Sequence, residues 1–358
     1  MECGYYEAGR CRSCTLLPTA YDAQVRVQQD RVRRLLPPMP WLPAVTSADR
    51  GFRNKAKLVV GGSMEQPTLG IIGQDLRECG LHEPVIVAAL PVLAEFVTRA
   101  SLQPYDIAAR RGELKHLIVT SSPDEELMVR FVSRSQEPVT RIRKHLPWLL
   151  AQLPVRVASV NLQPVHKAVL EGDREIVLSQ EDTLPMRIND LTLQLRPQSF
   201  FQTNTGVAAE LYRIAQTWAG QIAPHTVWDL YCGVGGFARH LAGPGRDVTG
   251  VEISAEAVAA ANLDQSPGLR FEVGDADAWV AGAVTPDLVV VNPPRRGIGR
   301  LAETLERSEV PHVVYSSCNA ESLARDLAAM PSLRPVRGVL LDMFAHTEHH
   351  EVLVQLDR

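Results

Sequence analysis

The most constraining feature of the chain is a repeating one. Five short strand-like segments rich in apolar and β-branched residues, at 226–230, 247–251, 269–273, 287–291 and 310–315, are separated by helix-length segments, and each is followed by polar side chains. Such runs predict buried parallel strands alternating with helices, that is, a doubly wound α/β sheet. Open sheets of this kind take their ligands at the carboxyl ends of the strands. The chemistry is therefore expected just past each run. The first leads into Tyr231-Cys232-Gly233-Val234-Gly235-Gly236, the second into Glu252 and the third into Gly274-Asp275. The fourth leads into Asn292-Pro293-Pro294-Arg295 and the last into Ser316-Ser317-Cys318-Asn319.

The glycine loop after the first run suits a nucleotide-like ligand, but it lacks the G-x-G-x-x-G order of a pyrophosphate site. Asp229 stands beside it, and a carboxylate there repels pyrophosphate while favouring the sulfonium and ammonium of S-adenosylmethionine. Glu252, 23 residues after Asp229, is spaced to bind ribose hydroxyls. Asp275 is a candidate acceptor for the adenine amino group. Together these residues favour S-adenosylmethionine over a nicotinamide dinucleotide.

Asn292-Pro293-Pro294 resembles the Asn-Pro-Pro-Tyr motif of amino-methyltransferases, whose aromatic residue stacks on the target base, but Arg295 takes that place here. Methylation of an exocyclic amine is thereby disfavoured, and Cys318 points to carbon chemistry. Carbon 5 of a pyrimidine is a poor nucleophile until a thiolate adds to carbon 6; a base must then remove the carbon 5 proton. In the tail, Glu351 directly precedes the apolar run 352–356 and is the candidate base, with His346, His349 and His350 lining the site or its surface. The alternative for Cys318 is an inert buried thiol.

The rest of the 358 residues reads as support. The net charge of −4 excludes a uniformly basic polyanion binder, but the first 150 residues carry a positive excess and the remainder a negative one. No apolar run has the length of a membrane helix and no secretory signal is evident, so a cytoplasmic protein is expected. In a reducing compartment clustered cysteines mark metal, cluster or catalysis. Cys3, Cys11 and Cys14 are spaced C-x7-C-x2-C, and Cys79 is the better fourth ligand because the other two cysteines fit elsewhere. Four thiolates suit structural zinc or an iron–sulfur cluster, and the long step and distant fourth cysteine resemble cluster ligation more than a zinc ribbon. A helix is predicted over 20–36, with Arg26, Arg31, Arg33 and Arg34 on a solvated face. Arg53, Lys55 and Lys57 alternate toward one face of a strand, with Phe52 offering a ring for base stacking. Between there and residue 186, strands at 115–120, 127–133 and 155–163 and helices at 84–100 and 139–153 predict a mixed α/β platform. An amphipathic helix at 207–222 follows Gln198-Ser199-Phe200-Phe201-Gln202.

Taken together, Cys3/Cys11/Cys14/Cys79, Phe52-Arg53-Asn54-Lys55, the Arg196–Gln202 stretch, Asp229 to Gly235, Asn292 to Gly297, Ser316 to Asn319 and the His-rich tail resemble the RNA (uracil-C5)-methyltransferases, above all the branch acting on 23S ribosomal RNA. The likeness spans nearly the whole chain. It implies a Rossmann-like S-adenosylmethionine-dependent methyltransferase domain at 187–358, preceded by an iron–sulfur region at 1–50, completed by Cys79, and a central α/β RNA-contacting domain at 51–186. It further implies Cys318 as nucleophile and Glu351 as base. Gln202, Tyr231, Glu252 and Asn292 would bind S-adenosylmethionine, and Cys3, Cys11, Cys14 and Cys79 a [4Fe-4S] cluster that shapes an RNA-binding surface. Cys232 is expected only to pack. No β-barrel domain precedes the cysteines, unlike in another 23S branch, and no obligate protein partner is implied. Rival readings are a non-catalytic iron–sulfur RNA-binding protein on this scaffold, and a tRNA uracil-C5 methyltransferase. DNA cytosine-C5 methylation expects proline where Ser317 stands.

Overall fold

Residues 1–167, 169–264 and 266–358 are described by the computed structural model. They divide into two units. One takes residues 1–12, 50–187 and 195–198, the other residues 13–49, 188–194 and 199–358. The first 50 residues, expected as one region, are thus shared out: helix α1 (Gly4–Glu7) goes with the first unit and α2 (Tyr21–Leu35) with the second.

The first unit is built on a seven-stranded sheet. Its strands are β1 (Lys55–Gly62), β2 (Pro67–Ile71), β3 (Gln74–Asp75), β4 (Leu114–Ser121), β5 (Leu127–Ser133), β6 (Val155–Leu162) and β7 (Arg174–Val177), in the order β3-β2-β1-β4-β5-β6-β7. All neighbours pair antiparallel except β5 and β6. That one parallel step needs a crossover, supplied by α4 (Val139–Gln152). Helices α3 (Pro84–Arg99) and α4 bury one face, where Ala56, Leu58, Val60, Leu117, Val119, Val129 and Phe131 alternate inward.

The alternate face carries Lys55, Lys57, His116 and Arg130. Arg130 is buried there, held by both carboxylate oxygens of Glu175 at 3.0 and 2.7 Å and by Glu171 at 2.6 Å. Lys55 is enclosed, and burial lowers its ammonium pKa to about 8. Phe52, expected to offer a ring to a base, is instead buried at 8% exposure. A large apolar side chain next to an eight-residue strand gains more from the core than from water.

A hairpin of β8 (Leu184–Ile188) and β9 (Leu191–Leu195) follows. The second unit then runs α5 (Thr205–Ile222), β10 (Thr226–Leu230), α6 (Gly236–Leu241), β11 (Asp247–Glu252), α7 (Ala255–Ala261), β12 (Leu269–Val273), α8 (Ala276–Val280) and β13 (Leu288–Val291). It continues with α9 (Arg300–Arg307), β14 (His312–Ser317), α10 (Ala320–Ala328), β15 (Arg334–Leu341) and β16 (Glu351–Asp357). The sheet order is β12-β11-β10-β13-β14-β16-β15. The five strands expected from the apolar runs are parallel, and β16 is inserted antiparallel between β14 and β15.

Segment 13–49 belongs to this second body. Helix α2 buries Val25 and Val32 in the same core as β10, β13, β14 and β16, and the Tyr21 hydroxyl donates to Asp342 at 2.6 Å. His346, expected to line the site or its surface, is buried: its Nε2 lies 2.7 Å from the Asp49 carbonyl, and its own carbonyl accepts from Leu16. It pins the segment rather than serving chemistry. No helix among the described residues is long and apolar enough to cross a membrane.

Candidate active site

The parallel register brings the strand ends to one edge. Leu230 pairs with Val251 and Val291, and Val291 with Tyr315, so the residues after each strand meet above the switch between β10 and β13. There a cavity of about 510 Å³ is lined by Gln202, Tyr231, Glu252, Asp275, Asn292, Cys318 and Glu351. The sequence named all seven from separate stretches. Phe200, Phe201 and Phe344 add aromatic walls, and Arg295 a cation.

Each wall has a local cause. The β10–α6 turn needs left-handed backbone at Tyr231 (φ 62°), Gly233 (φ 56°) and Gly235 (φ 85°). A Cβ on Gly235 would lie 2.5 Å from the Phe271 ring, whereas one on Gly233 meets nothing, leaving open space for a ligand. A non-glycine residue held at positive φ is costly, which marks Tyr231 as a constrained position. Burial pushes its phenol up to about 12. Glu252 accepts from the backbone of Gly233 at 3.0 Å and of Ser254 at 2.9 Å, which bends its carboxylate over the glycine turn. Asp275 caps α8 through the Ala278 amide at 3.2 Å while still lining the cavity.

Asp229 is where the expectation fails. It does not line the cavity; it is fully buried, and its Oδ2 accepts from the Ala238 amide at 2.8 Å, tying β10 to the start of α6. Burial raises its pKa to about 8, and Oδ1 has no partner among the described residues. Its carboxyl shapes the turn from beneath and does not face a ligand. Cys232 is buried as expected, and its sulfur would lie 3.0 Å from a Cβ on Gly250.

Cys318 and Glu351 come together through strand pairing. Ser317 pairs with Val352 and Ser316 with Leu353, so the register extended by one residue sets Cys318 against Glu351. Glu351 is 2% exposed, and burial raises its carboxyl to about 7 against a lowering by the Ser316 hydroxyl, which donates to Oε1 at 2.6 Å. Cys318 is half-buried; burial and the Glu351 charge push its thiol up, and Arg295 draws it down. Arg295 is placed by its loop: Asn319 Nδ2 donates to the Arg295 carbonyl at 3.2 Å, and Arg325 to the Arg296 carbonyl at 2.8 Å. Beneath, Asp326 accepts from the Tyr315 hydroxyl at 2.7 Å and the Ile298 amide at 2.8 Å. Ser316 was read in the sequence only as part of the polar stop after the strand; its bond to Glu351 had no local signal.

His349 is exposed and lies edge-on to Phe344, and His350 is buried with Nδ1 3.1 Å from the Glu348 carbonyl; neither lines the cavity. In the first unit, Cys79 is enclosed; burial chiefly raises its thiol, and the charges of Cys3 and Cys11 raise it further, so these three are within electrostatic reach of one another. Among the described residues no group of three or more His, Cys, Asp or Glu side chains forms a metal-binding arrangement.

The arrangement supplies a thiol, a buried carboxyl of near-neutral pKa and an acidic, aromatic-walled cleft suited to a cationic nucleoside. A family model described as tRNA (Uracil-5-)-methyltransferase matches residues 283–358, which include Asn292, Cys318 and Glu351. Over their full lengths, the chain is 46% identical to a protein of Pectobacterium carotovorum named 23S rRNA (uracil(747)-C(5))-methyltransferase RlmC. It is likewise 46% identical to the so-named protein of Yersinia pseudotuberculosis over 99% of each chain. Its structure resembles that of Pyrococcus abyssi tRNA (uracil-54, C5)-methyltransferase in complex with S-adenosyl-L-homocysteine. The TM-score is 0.80 at 28% identity, over 96% of this chain and 85% of that one. The fold is that of an S-adenosylmethionine-dependent methyltransferase. On these matches and this geometry, the chain belongs to the RNA (uracil-C5)-methyltransferase family.

Proposed function

We propose that the protein methylates carbon 5 of one uridine in 23S ribosomal RNA, with Cys318 as nucleophile and Glu351 as base. The observation that carries this reading is the β14–β16 register, which sets thiol and carboxyl side by side in a cavity that also holds the five proposed cofactor-binding residues. The 23S substrate rests on relatives of 44–46% identity over full length, against 28% for the tRNA enzyme. S-adenosylmethionine supplies an electrophilic methyl group when bound, and Gln202, Tyr231, Glu252, Asp275 and Asn292 would hold it. Open space above Gly233 and the absence of a pyrophosphate-type loop fit that ligand.

Cys318 gives up its proton to solvent and its thiolate sulfur adds to carbon 6 of the uracil, pushing the electron pair of the 5,6 double bond toward carbon 5 and its neighbouring carbonyl, which makes carbon 5 nucleophilic enough to take the methyl group. Arg295 favours the thiolate. Glu351, ionised, then removes the carbon 5 proton, the carbon–sulfur bond breaks and the thiolate is regenerated. The sulfur never carries the methyl group.

Cys3, Cys11, Cys14 and Cys79 are the ligands of a [4Fe-4S] cluster in this reading, supported by their sequence pattern and by the electrostatic reach between Cys79, Cys3 and Cys11. The cluster takes no part in methyl transfer. The first unit contacts RNA. Mapping 5-methyluridine in 23S RNA from a strain lacking the gene tests the function: one site should be lost, return with the native gene and stay absent with Cys318→Ala. A full modification pattern in the deletion strain sinks the assignment. Iron and sulfide assays on anaerobically purified protein test the cluster; stoichiometric zinc overturns it.

A further inference from the structure

We propose that the first unit contains a nucleobase pocket, a cavity of about 530 Å³ that takes one unstacked base of the RNA substrate other than the uridine that is methylated. The inference rests on the reading of the substrate as RNA. Its residues all belong to the first unit and play no part in the site described above. The floor is the cross-strand pair Val59 and His116 of β1 and β4.

The walls are unusual for a surface. Ile72, Ile107, Val165 and Val169, at 71%, 50%, 46% and 46% exposure, gather around this one cavity. Large aliphatic side chains left in water and clustered mark a binding surface. Tyr105 adds an aromatic ring, fixed by its hydroxyl 2.9 Å from His166 Nδ1. Behind it, the Lys115 ammonium lies 4.7 Å from the ring centroid and donates to the carbonyls of Gln163 at 2.7 Å and Val165 at 2.9 Å. That cation is spent on holding the wall, so the ring and the strand are set before any ligand arrives.

The polar groups decide the ligand class. Among the described residues no carboxylate lines the cavity, although Glu171 acts on His116 from outside the lining, and the exposed Lys167 is the lining cation left to meet a phosphate. The buried Nδ1 of His116 has no partner among the described residues, and burial keeps the ring neutral, with a pKa of about 4. A neutral, uncharged floor suits the face of a base, and the exposed Lys167 at the rim matches the phosphate beside it. Aromatic and aliphatic walls with a cation beside them are how single-stranded RNA bases are held. Selection of a single uridine needs contacts to its neighbours, and the active-site cavity has cofactor and target base to accommodate.

The test uses the full chain. Ile107→Asp and Val169→Asp place a carboxylate at exposed wall positions without touching the core. Each should raise KM for a 23S RNA fragment about tenfold, as loss of one stacked base predicts, with kcat and KM for S-adenosylmethionine unchanged. In parallel, a 23S fragment carrying 4-thiouridine and 6-thioguanosine should photocrosslink to peptides containing Tyr105 or His166. Native KM in both variants, or crosslinks confined to the second unit, overturns the pocket. Native KM on naked RNA with activity lost only on ribosomal particles assigns the cavity to a protein and overturns it as well. Crosslinking needs no methyl transfer, so labelled peptides in a protein that methylates no uridine would sink the functional reading and leave the pocket standing.

Discussion

Arg130 of the first unit and the buried carboxyls of the second meet burial in opposite ways. In the first, Arg130 is as deeply buried as any side chain of its size, yet its guanidinium meets Glu175 on two hydrogen bonds and Glu171 on a third. In the second, Glu351 and Asp229 are buried with no cation bound to them among the described residues; one holds a serine hydroxyl and the other a single amide. The consequence is a carboxyl at about 7 and another at about 8. A paired buried ion is architecture, because its charge is already satisfied; an unpaired one stays poised near neutrality and can exchange a proton. The contrast also separates the two buried carboxyls: Glu351 faces a cavity and a thiol, Asp229 only the underside of a turn.

The largest test of the contrast is Glu351→Gln. Turnover should fall about 10²- to 10⁴-fold, the usual contribution of a general base. Addition and methyl transfer survive, so a covalent methylated enzyme–RNA adduct should persist on a denaturing gel; unchanged turnover would remove Glu351 from the base role. The same variant should be more stable above pH 7. A carboxyl whose folded pKa is raised from 4.5 to about 7 favours the folded state when protonated, so its ionisation erodes stability as pH climbs through that window. Thermal melts at pH 5 and pH 8 read the sign.

Glu175→Gln addresses the paired side. Leaving the Arg130 charge half-compensated should cost about 3–5 kcal/mol in denaturant unfolding, with kcat per folded molecule preserved. A loss of kcat at native stability would give that network a catalytic role.

Ser316→Ala sharpens the boundary between the two regimes. Without its one hydroxyl donor, Glu351 should titrate higher, moving the acid limb of the pH–rate profile upward and slowing turnover at pH 7 by about fivefold for a rise of roughly one pKa unit. Cys318 and Tyr212 are the ionisable groups on which the Glu351 charge acts. Ser316→Thr should restore the profile; an unshifted limb in the alanine variant would leave the hydrogen bond without function. The smallest effect is expected at the exposed Glu137–Arg141 pair, where Arg141→Ala should cost about 0.3–0.5 kcal/mol.

The sheet of the second unit was legible because its inner strands, β13 and β14 above all, are buried on both faces and read as apolar runs with polar ends, while the edge strand β12, with only Phe271 buried, was marked by its spacing from them. Residues 226–230 and 269–273 match their strands end to end. The first unit was legible only as a set of elements. Its β4 and β5 match the expected runs to within a residue, but nothing local in them says that β1 pairs with β4 or that β5 and β6 run parallel. Phe52 and Asp229 were misread for one reason: a polar or aromatic residue beside a strand end looks available until burial is known. His346 was misread for the same reason.

By itself the sequence determined which side chains end each strand of the second unit, and hence that a thiol, acidic residues and an Asn-Pro-Pro turn share one edge. That follows from a period-independent pattern, apolar run then polar stop, which survives without knowledge of partners. Only the tertiary structure decided that β16 enters antiparallel between β14 and β15. That register sets Glu351 against Cys318, buries it and lifts its carboxyl toward neutrality. It also decided that segment 13–49 belongs to the second unit, through Tyr21 on Asp342 and His346 on Asp49. Strand register and burial are sums over contacts far apart in the chain, and no local stretch of residues records them.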